Sequence, residues 1–334
     1  MKFLKVPKKQ AEKIRKELAD ENSLSLEYSI LKDGDFVLFP ILSSKNKKFE
    51  IVELQAEKRL EPHGKLKDAL SKIFSSEELE NLVASFDIIG DIAIIEVPDA
   101  LTSKELEIGD TVLKIHRNVK TVLKKLGPME GEFRVRQLSH IAGEKKTETI
   151  YKESGALMKL DVAKVYFSVR LAYERTRIAE LIRPGEKILV LFAGVGPFAL
   201  VFAKKHPDAE IVAVELNPVA VSYMRQNIEL NRLKNVEAME CDAHKFSGKD
   251  FDRVVMPLPK TGHEFLNIAF ASVKNGGIIH FYTWSESEDP FVQAMEKAQT
   301  AASQSKVAIE FENMRIVRPY APNIVQVVLD LKKL

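Results

Sequence analysis

The sequence predicts an α/β protein: an open, mostly parallel sheet fills the C-terminal half, and two smaller α+β domains precede it. The segment 187–217 alternates an apolar run, a glycine turn, an apolar-faced helix and a second apolar run. Further short segments that we predict to be strands follow, and they end at polar or proline residues. The first 56 residues instead carry a hairpin signal, Asp33-Gly34 between two apolar runs.

The glycine turn predicts a ligand-binding strand end. Residues 188–192 are an unbroken apolar run, typical of a strand buried on both faces of a parallel sheet. Gly194 and Gly196 follow, where the backbone must turn tightly and approach a ligand closely. A second apolar run ends at Glu215, about twenty residues after the turn, where open α/β sheets bind the hydroxyls of a ribose.

Two later strands end at the same predicted edge. Asp242 follows the predicted strand 236–241, and Pro257 follows the predicted strand 251–256. Because the carboxyl ends of parallel strands meet at one edge of a sheet, these residues should lie beside Gly196 and Glu215. Leu200 and its neighbour stand where a dinucleotide-binding motif has its last glycine, which disfavours a dehydrogenase.

The domain organisation follows from composition along the chain. Residues 1–56 predict a small binding domain with a helix over 7–21, and the polar segment 57–67 predicts a linker. Residues 68–163 predict a second α+β domain, and residues 164–334 the parallel-sheet domain, closed by an antiparallel pair at 307–318 and 324–331. The stretch 132–140 predicts a strand with Arg134 and Arg136 on one face.

Composition excludes several classes of protein. The 334 residues are 45% apolar and 29% charged, and no apolar run approaches the roughly 20 residues that span a bilayer. The N-terminus lacks the apolar core of a signal peptide, so we expect a cytoplasmic protein. The single cysteine, Cys241, excludes an internal disulfide and a multi-cysteine metal site, and we expect no metal.

The distribution of charge favours a polyanionic partner more than the net charge of +2 does. Lysine, arginine and histidine cluster at 45–48, 114–125 and 170–183. Three basic segments around a catalytic sheet indicate nucleic acid, although each segment alone is also typical of a solvated face.

Four motifs carry a family resemblance: EFRVRQLSHIAGE at 132–144, DVAKVYFSVRLAYER at 161–175, FAGVGPF at 192–198 and VMPLPK at 255–260. With them the chain resembles the archaeal and eukaryotic type of tRNA guanosine-37 methyltransferase over nearly its whole length. The resemblance implies a class I Rossmann-like domain that uses S-adenosylmethionine, an RNA-contacting domain and an N-terminal domain for the outer corner of tRNA. It implies N1-methylguanosine next to the anticodon, and we expect a monomer without a membrane partner.

The resemblance also implies catalytic roles. Methylation of guanine N1 needs a base for the N1 proton and a cation for the charge that moves onto O6. Glu174 matches the base and Arg134 the cation, while Tyr166 would pack near the cofactor and the target base. Each residue also has an alternative role. Glu174 could form an ion pair on the helix with Arg170 or Arg177. Arg134 could contact a phosphate, and Tyr166 could pack in the core.

Further binding residues come with the resemblance. The implied cofactor contacts are Phe192, Gly194, Gly196, Glu215, Asp242 and Pro257. The implied substrate contacts are Arg134, Arg136, Arg170, Pro257 and Lys260.

Three positions depart from the family's pattern. Val190 replaces an acid, Glu215 replaces the usual Asp, and Pro257 replaces the usual Asn of the NLP(K) motif. Proline cannot hydrogen-bond an amine under attack, which argues against N6-adenine methylation. The pattern resembles a wyosine-pathway branch that methylates C7 of a tricyclic guanosine derivative. The sequence also leaves open aminocarboxypropyl transfer onto that base and a catalytically silent tRNA-binding protein.

Overall fold

The computed structural model describes residues 1–20, 23–25, 28, 30–42, 49–54, 66–131, 133–286, 288–321 and 323–334. The chain forms two compact units: Met1–Ala84 with Pro98–Arg117, and Ser85–Val97 with Asn118–Leu334. Most of the predicted linker, 57–65, and the basic cluster 45–48 lie outside the described residues. Among the helices that are described, none combines the length and the apolarity that crossing a bilayer requires.

The first unit holds a four-stranded sheet in the order β2-β3-β1-β4. The predicted hairpin is confirmed, because β2 pairs antiparallel with β3 and Gly34 turns between them with φ 51°. The helix predicted over 7–21 starts later, since a 3-10 turn occupies Lys8–Gln10. The elements of this unit are β1 (Lys2–Pro7), α1 (Ala11–Asp20), β2 (Leu31–Asp33), β3 (Phe36–Pro40), β4 (Glu50–Glu53), α2 (Leu66–Leu70), α3 (Ser76–Asn81) and α4 (Glu105–Ile115).

The second unit begins with a four-stranded sheet and a separate hairpin. The sheet has the order β5-β6-β7-β8, with β6 and β7 parallel and the other pairs antiparallel. The hairpin pairs β9 with β10. The strands are β5 (Asp87–Ile89), β6 (Ile92–Ile95), β7 (Thr121–Glu130), β8 (Val135–Gly143), β9 (Glu148–Glu153) and β10 (Ala156–Asp161).

The strand predicted over 132–140 begins later in the structure. Gly131 and Arg134 have φ of 70° and 52°, so the chain turns there, and β8 begins only at Val135. Arg134 therefore projects from a turn and does not share a strand face with Arg136, although both side chains reach the same cavity.

The second sheet of this unit has seven strands in the order β13-β12-β11-β14-β15-β17-β16. The strands β11 to β15 run parallel, and β17 pairs antiparallel with both β15 and β16, which confirms the predicted closing pair. The strands are β11 (Lys187–Leu191), β12 (Glu210–Glu215), β13 (Val236–Glu240), β14 (Phe251–Met256), β15 (Val273–Ser285), β16 (Ile309–Ala321) and β17 (Ile324–Lys333). The helices are α5 (Ala172–Leu181), α6 (Pro197–Lys205), α7 (Pro218–Leu230), α8 (Leu266–Ser272) and α9 (Pro290–Gln304).

Strand β11 lies at the centre of the core. Ile188 and Val190 point to the face covered by α5, α6 and α7, whereas Leu189 and Leu191 point to the face covered by α8 and α9. All four side chains are fully buried. Successive residues of a strand face opposite ways, so an unbroken apolar run is what a sheet covered on both faces requires. An acid at Val190 would be buried in this core.

Candidate active site

A cavity of about 1380 Å³ opens at the carboxyl ends of the parallel strands. Ten of the twelve site residues named from the sequence line it: Arg134, Arg136, Tyr166, Arg170, Phe192, Gly194, Glu215, Asp242, Pro257 and Lys260. Glu174 and Gly196 do not line it. The expectation that the strand ends meet at one edge of the sheet is confirmed, because residues that follow four different strands line this cavity.

The turn after β11 uses left-handed backbone three times. Phe192, Gly194 and Gly196 have φ of 55°, 57° and 89°. A Cβ on Gly194 would meet only the Tyr166 carbonyl oxygen, at 3.6 Å, so the need for glycine there is mainly conformational. A Cβ on Gly196 would lie 2.9 Å from Cγ of Met224. The second glycine therefore lets α6 pack closely on α7, and it is the first that faces the cavity.

Glu215 is fixed by the backbone around it. Gly194 donates its N–H to Oε2 over 2.8 Å, and Leu216 and Asn217 donate theirs to Oε1 over 3.0 and 2.8 Å. The carboxylate is half-buried and lines the cavity. Each carboxylate oxygen can accept more than one hydrogen bond, so Glu215 is held in place and can still accept the hydroxyls of a ribose.

Asp242 stands beside an aromatic wall. Its Oδ1 accepts the backbone N–H of His244 over 2.9 Å. The Phe265 ring stacks on the His244 imidazole at 4.2 Å and meets the Phe192 ring edge-on at 4.8 Å. Flat apolar surfaces next to a carboxylate fit an adenine ring and its amine. Phe265 and His244 were missed in the sequence analysis, because both lie in short 3-10 turns and not directly after a predicted strand.

Arg134 lies among aromatic rings on another wall of the cavity. Its guanidinium carbon is 5.2 Å from the centroid of the Tyr166 ring and 6.0 Å from that of the Trp284 ring, within the range of cation–π attraction. One wall of the cavity therefore carries the acids Glu215 and Asp242 with the backbone of the glycine turn, groups that suit a cofactor. The other wall carries the Arg134 cation.

Hydrogen bonds fix the residues and the loop that lie between these walls. Arg170 donates from Nε to Oδ1 of Asp87 over 2.8 Å. The backbone N–H of Trp284 donates to the Pro259 carbonyl over 3.2 Å, which ties the end of β15 to the loop that starts at Pro257. Lys260 is exposed at the rim.

Glu174 is buried beside the cavity, with 1% of its surface exposed. Its Oε2 accepts the Tyr282 hydroxyl over 2.8 Å and Nε of Arg177 over 3.0 Å. Arg315 lies 3.3 Å from Oε1, yet Oε1 accepts no hydrogen bond from any described residue. The ion pair with Arg177 that the sequence suggested is therefore present, while Arg170 pairs elsewhere.

A buried chain of charged groups continues from Glu174. Arg177 donates to both carboxylate oxygens of Asp330 over 2.7 and 3.2 Å, and the His280 ring bonds Asp330 through Nδ1 over 2.5 Å. Arg253 donates to Nε2 of His280 over 2.7 Å. Because arginine only donates, His280 accepts at Nε2 and carries its proton on Nδ1.

The pKa values in this chain follow from burial and neighbours. Burial lowers the pKa of His280. The hydrogen bond and charge of Asp330 raise this pKa, and the charges of Arg253 and Arg177 lower it, so that the net shift is downward. Burial alone would raise the pKa of Asp330, but hydrogen bonds from His280 and Arg177 hold it well below its usual range. Burial raises the pKa of Tyr282, so its hydroxyl keeps its proton and donates to Glu174.

The four arginines of the third basic segment differ in burial: Arg170 and Arg183 are exposed, whereas Arg175 and Arg177 are not. Arg175 is 1% exposed and donates to both oxygens of Glu153 over 2.6 Å each. Arg177 is half-buried and pairs with Glu174 and Asp330, whereas Arg170 bonds Asp87 but stays exposed. Arg175 and Arg177 are therefore paired inside the fold and do not add to a basic surface at 170–183.

Three family models match consecutive parts of the chain. Residues 149–310 match the TRM5/TYW2 methyltransferase domain, residues 66–147 the TYW2 N-terminal domain, and residues 4–50 the tRNA methyltransferase 5 N-terminal domain.

Individual relatives cover the same span. The tRNA (guanine(37)-N(1))-methyltransferase Trm5b of Pyrococcus abyssi is 40% identical over 98% of this chain and 98% of its own. The tRNA 4-demethylwyosine(37)-methyltransferase Taw21 of Saccharolobus solfataricus is 35% identical over 77% of this chain and 96% of its own. A solved complex of aTrm5 with tRNALeu superposes with a TM-score of 0.72 at 34% identity, covering 99% of each chain.

Proposed function

This chain belongs to the TRM5/TYW2 methyltransferase family, and from that premise we propose that it methylates N1 of guanosine at tRNA position 37 with S-adenosylmethionine as donor. The observation that carries the proposal is the cavity that joins Glu215 and Asp242 with Arg134 and Tyr166. Cofactor groups and a cation for the target base thereby share one space.

The cofactor contacts follow from the fixed groups of the first wall. Glu215 binds the ribose hydroxyls, Asp242 the adenine amine, and the backbone at Phe192–Gly194 the methionine part. Pro257 packs against the cofactor and the target base, and Gly196 supports this wall by its packing on Met224. When bound, S-adenosylmethionine supplies an electrophilic methyl group.

The chain's own residues handle the charge and the proton. Guanine N1 is a weak nucleophile while protonated, so a base must take its proton as the methyl group arrives. Arg134 donates to O6, where negative charge develops, and Tyr166 fixes the guanidinium by stacking. Glu174 takes the N1 proton on Oε1, the oxygen that accepts no hydrogen bond within the described part of the chain. Because Glu174 lies behind the cavity wall, this role requires the wall to open at Oε1 when tRNA binds, while Oε2 keeps its bonds to Tyr282 and Arg177.

The substrate and its setting are part of the same proposal. Arg136, Arg170 and Lys260 contact the anticodon loop around position 37, and the N-terminal domain recognises the outer corner of tRNA. The protein acts in the cytoplasm as a monomer. The proposed domain boundaries are 1–56, 68–163 and 164–334, with a linker at 57–67.

Different observations favour N1 methylation and the second candidate, C7 methylation of a tricyclic wyosine precursor. Residues 4–50 match the tRNA methyltransferase 5 N-terminal model, and the Trm5b relative spans 98% of both chains, which favours N1. Pro257 at the usual Asn position and the Taw21 relative favour a C7 activity, alone or in addition.

The deciding experiment supplies the full-length protein with methyl-labelled S-adenosylmethionine and two tRNA substrates, one with guanosine at position 37 and one with the tricyclic base. Nucleoside mass spectrometry identifies the products. We expect 1-methylguanosine from the first. Product only from the tricyclic substrate would replace the proposal by C7 methylation, and no product from either would refute both.

A further inference from the structure

An aromatic pair on the cavity wall has no part in the roles assigned so far. The rings of Trp284 and Tyr320 stack with centroids 4.2 Å apart and planes 25° apart, and both line the cavity. Trp284 lies near the end of β15, and Tyr320 near the turn from β16 to β17. Neither residue belongs to the motifs that carry the family resemblance.

Core packing does not account for this pair. Tyr320 keeps 46% of its surface exposed, although its ring lies against another aromatic ring. The indole N–H of Trp284 is buried and donates to no described residue. A stack that leaves one ring open to the cavity and a polar group without a partner is poorly explained as a stability feature.

The pair stands next to the cation proposed to bind the target base. A ring stacked at 4.2 Å covers one face of Trp284, which leaves the opposite face or the edge for the Arg134 guanidinium 6.0 Å away. The backbone N–H of Trp284 bonds the Pro259 carbonyl, so the pair is also tied to the loop that follows β14. Arg318 lines the same cavity, with its Nε fixed on Oε1 of Gln326 over 3.0 Å.

A base beside the target needs such a surface. N1 lies on the Watson–Crick edge of guanine, so the enzyme must pull the target out of the loop stack to reach it. The neighbouring base then loses a stacking partner. Exposed aromatic rings take over this role in proteins that bind single strands, and they accept any base because each has a π-face.

From this arrangement we propose that the Tyr320–Trp284 pair is a stacking platform for the nucleotide adjacent to the target guanosine, at position 36 or 38. The proposal rests on the proposed function for the identity of the target. The open face of Tyr320 takes the base, and Arg318 takes a neighbouring phosphate. The platform positions the loop and does no chemistry.

The test uses full-length protein, S-adenosylhomocysteine and tRNA transcripts with 2-aminopurine at position 36 or at position 38. Stacking quenches 2-aminopurine, so we expect quenching on binding at one of the two positions. Tyr320→Ala should abolish it and weaken tRNA binding about 5- to 100-fold, the range for loss of one base–aromatic stack. Tyr320→Phe should retain both, since the ring remains.

The matched control is Ile316→Ala, which truncates a side chain on the same strand that is 46% exposed and outside the cavity. It should leave quenching and affinity unchanged. Quenching and affinity that survive Tyr320→Ala at both positions would overturn the platform.

A methylation assay on the same proteins and tRNAs, with S-adenosylmethionine in place of S-adenosylhomocysteine, separates the two proposals. If the wild type makes 1-methylguanosine but Tyr320→Ala leaves the 2-aminopurine quenching unchanged, only the platform proposal fails. If quenching depends on Tyr320 but no methylated guanosine forms, the platform stands and the proposed function fails.

Discussion

Tyr282 donates its hydroxyl to Oε2 of Glu174 over 2.8 Å, and both side chains are buried, at 0% and 1% exposure. The bond joins β15 to α5 across 108 residues of sequence. Together with the bond from Arg177 it holds one carboxylate oxygen and leaves Oε1 without a hydrogen bond from any residue in the described ranges. The two carboxylate oxygens thus differ: Oε2 is held by two hydrogen bonds, and Oε1 has, among the described residues, only the Arg315 guanidinium at 3.3 Å.

The first prediction concerns the carboxylate itself. Glu174→Gln keeps the shape of the side chain but removes the base, so we expect turnover to fall about 10²–10⁴-fold, the usual contribution of a positioned base. Single-turnover methylation of G37 tRNA measures it, with tRNA affinity recorded alongside. Near-normal turnover would remove Glu174 from the mechanism.

The second prediction concerns its hydrogen-bond donor. Tyr282→Phe removes only the hydroxyl, so Glu174 stays in place but loses part of its orientation; we expect turnover to fall about 10–100-fold with unchanged tRNA affinity. The free energy of unfolding should drop by about 1.5–3 kcal/mol, as for other hydrogen bonds to a charged group.

Tyr223→Phe is the matched control for Tyr282. Its hydroxyl donates to Oε2 of Glu148 over 2.8 Å, outside the cavity lining. We expect a similar loss of stability without a loss of turnover. Equal turnover in the two variants would contradict a positioning role for Tyr282.

The third prediction separates the two arginines that reach the cavity from the start of β8. Arg134→Ala should lower the rate of methyl transfer about 10²–10³-fold, since it removes a donor aimed at developing charge. Arg136→Ala should instead weaken tRNA binding and reduce the slope of log affinity against log salt by about 0.7–0.9, as for a phosphate contact. Binding and single-turnover rates between low and high salt measure both. Identical profiles for the two variants would mean that Arg134 is only another phosphate contact.

The sequence predicts the strand ends well because burial on both faces produces unbroken apolar runs. Glu215 could be placed at the sheet edge for that reason, and Asp242 from its place after the next predicted strand. The sequence suggested Arg177 as a partner of Glu174 because it lies three residues further along the helix. Tyr282 and Arg315 could not be predicted, since they come from β15 and β16, and no local pattern encodes such pairings. The same limit applies to Arg175, whose partner Glu153 lies on β9. The turn at Arg134 was missed because alternating residues suggested a strand up to that point.

The fourth prediction compares a glycine required by its backbone conformation alone with one required also by close packing. Gly196 has φ 89° and a Cβ there would lie 2.9 Å from Met224, whereas Gly155 has φ 80° with no atom within 4 Å. Gly155→Ala should cost only the left-handed strain, about 1–2 kcal/mol. Gly196→Ala should cost about 1–3 kcal/mol more, because α6 must move away from α7. Urea unfolding of both variants measures the difference, and equal losses would show that packing on Met224 does not constrain the turn.

The fifth prediction concerns acid stability. The folded state holds the pKa of Asp330 below its unfolded value, through His280 and Arg177 and against the effect of burial. A depressed pKa contributes stability that is fully present above the unfolded value of about 4 and is lost as pH falls through the folded value. We therefore expect the urea midpoint of the wild type to fall steeply below about pH 4.

Asp330→Asn isolates that contribution. The variant should be less stable at pH 7, by about 3–5 kcal/mol, because the largely buried Arg177 loses the nearer of its two counter-charges and keeps only Glu174. It should also lose less stability than the wild type between about pH 4 and pH 2, since the amide does not titrate in that range. Parallel urea titrations from about pH 7 to pH 2 measure both effects. If the two proteins lose stability with the same slope below about pH 4, the acid sensitivity belongs to other carboxylates, and the Asp330–Arg177 pair does not govern it.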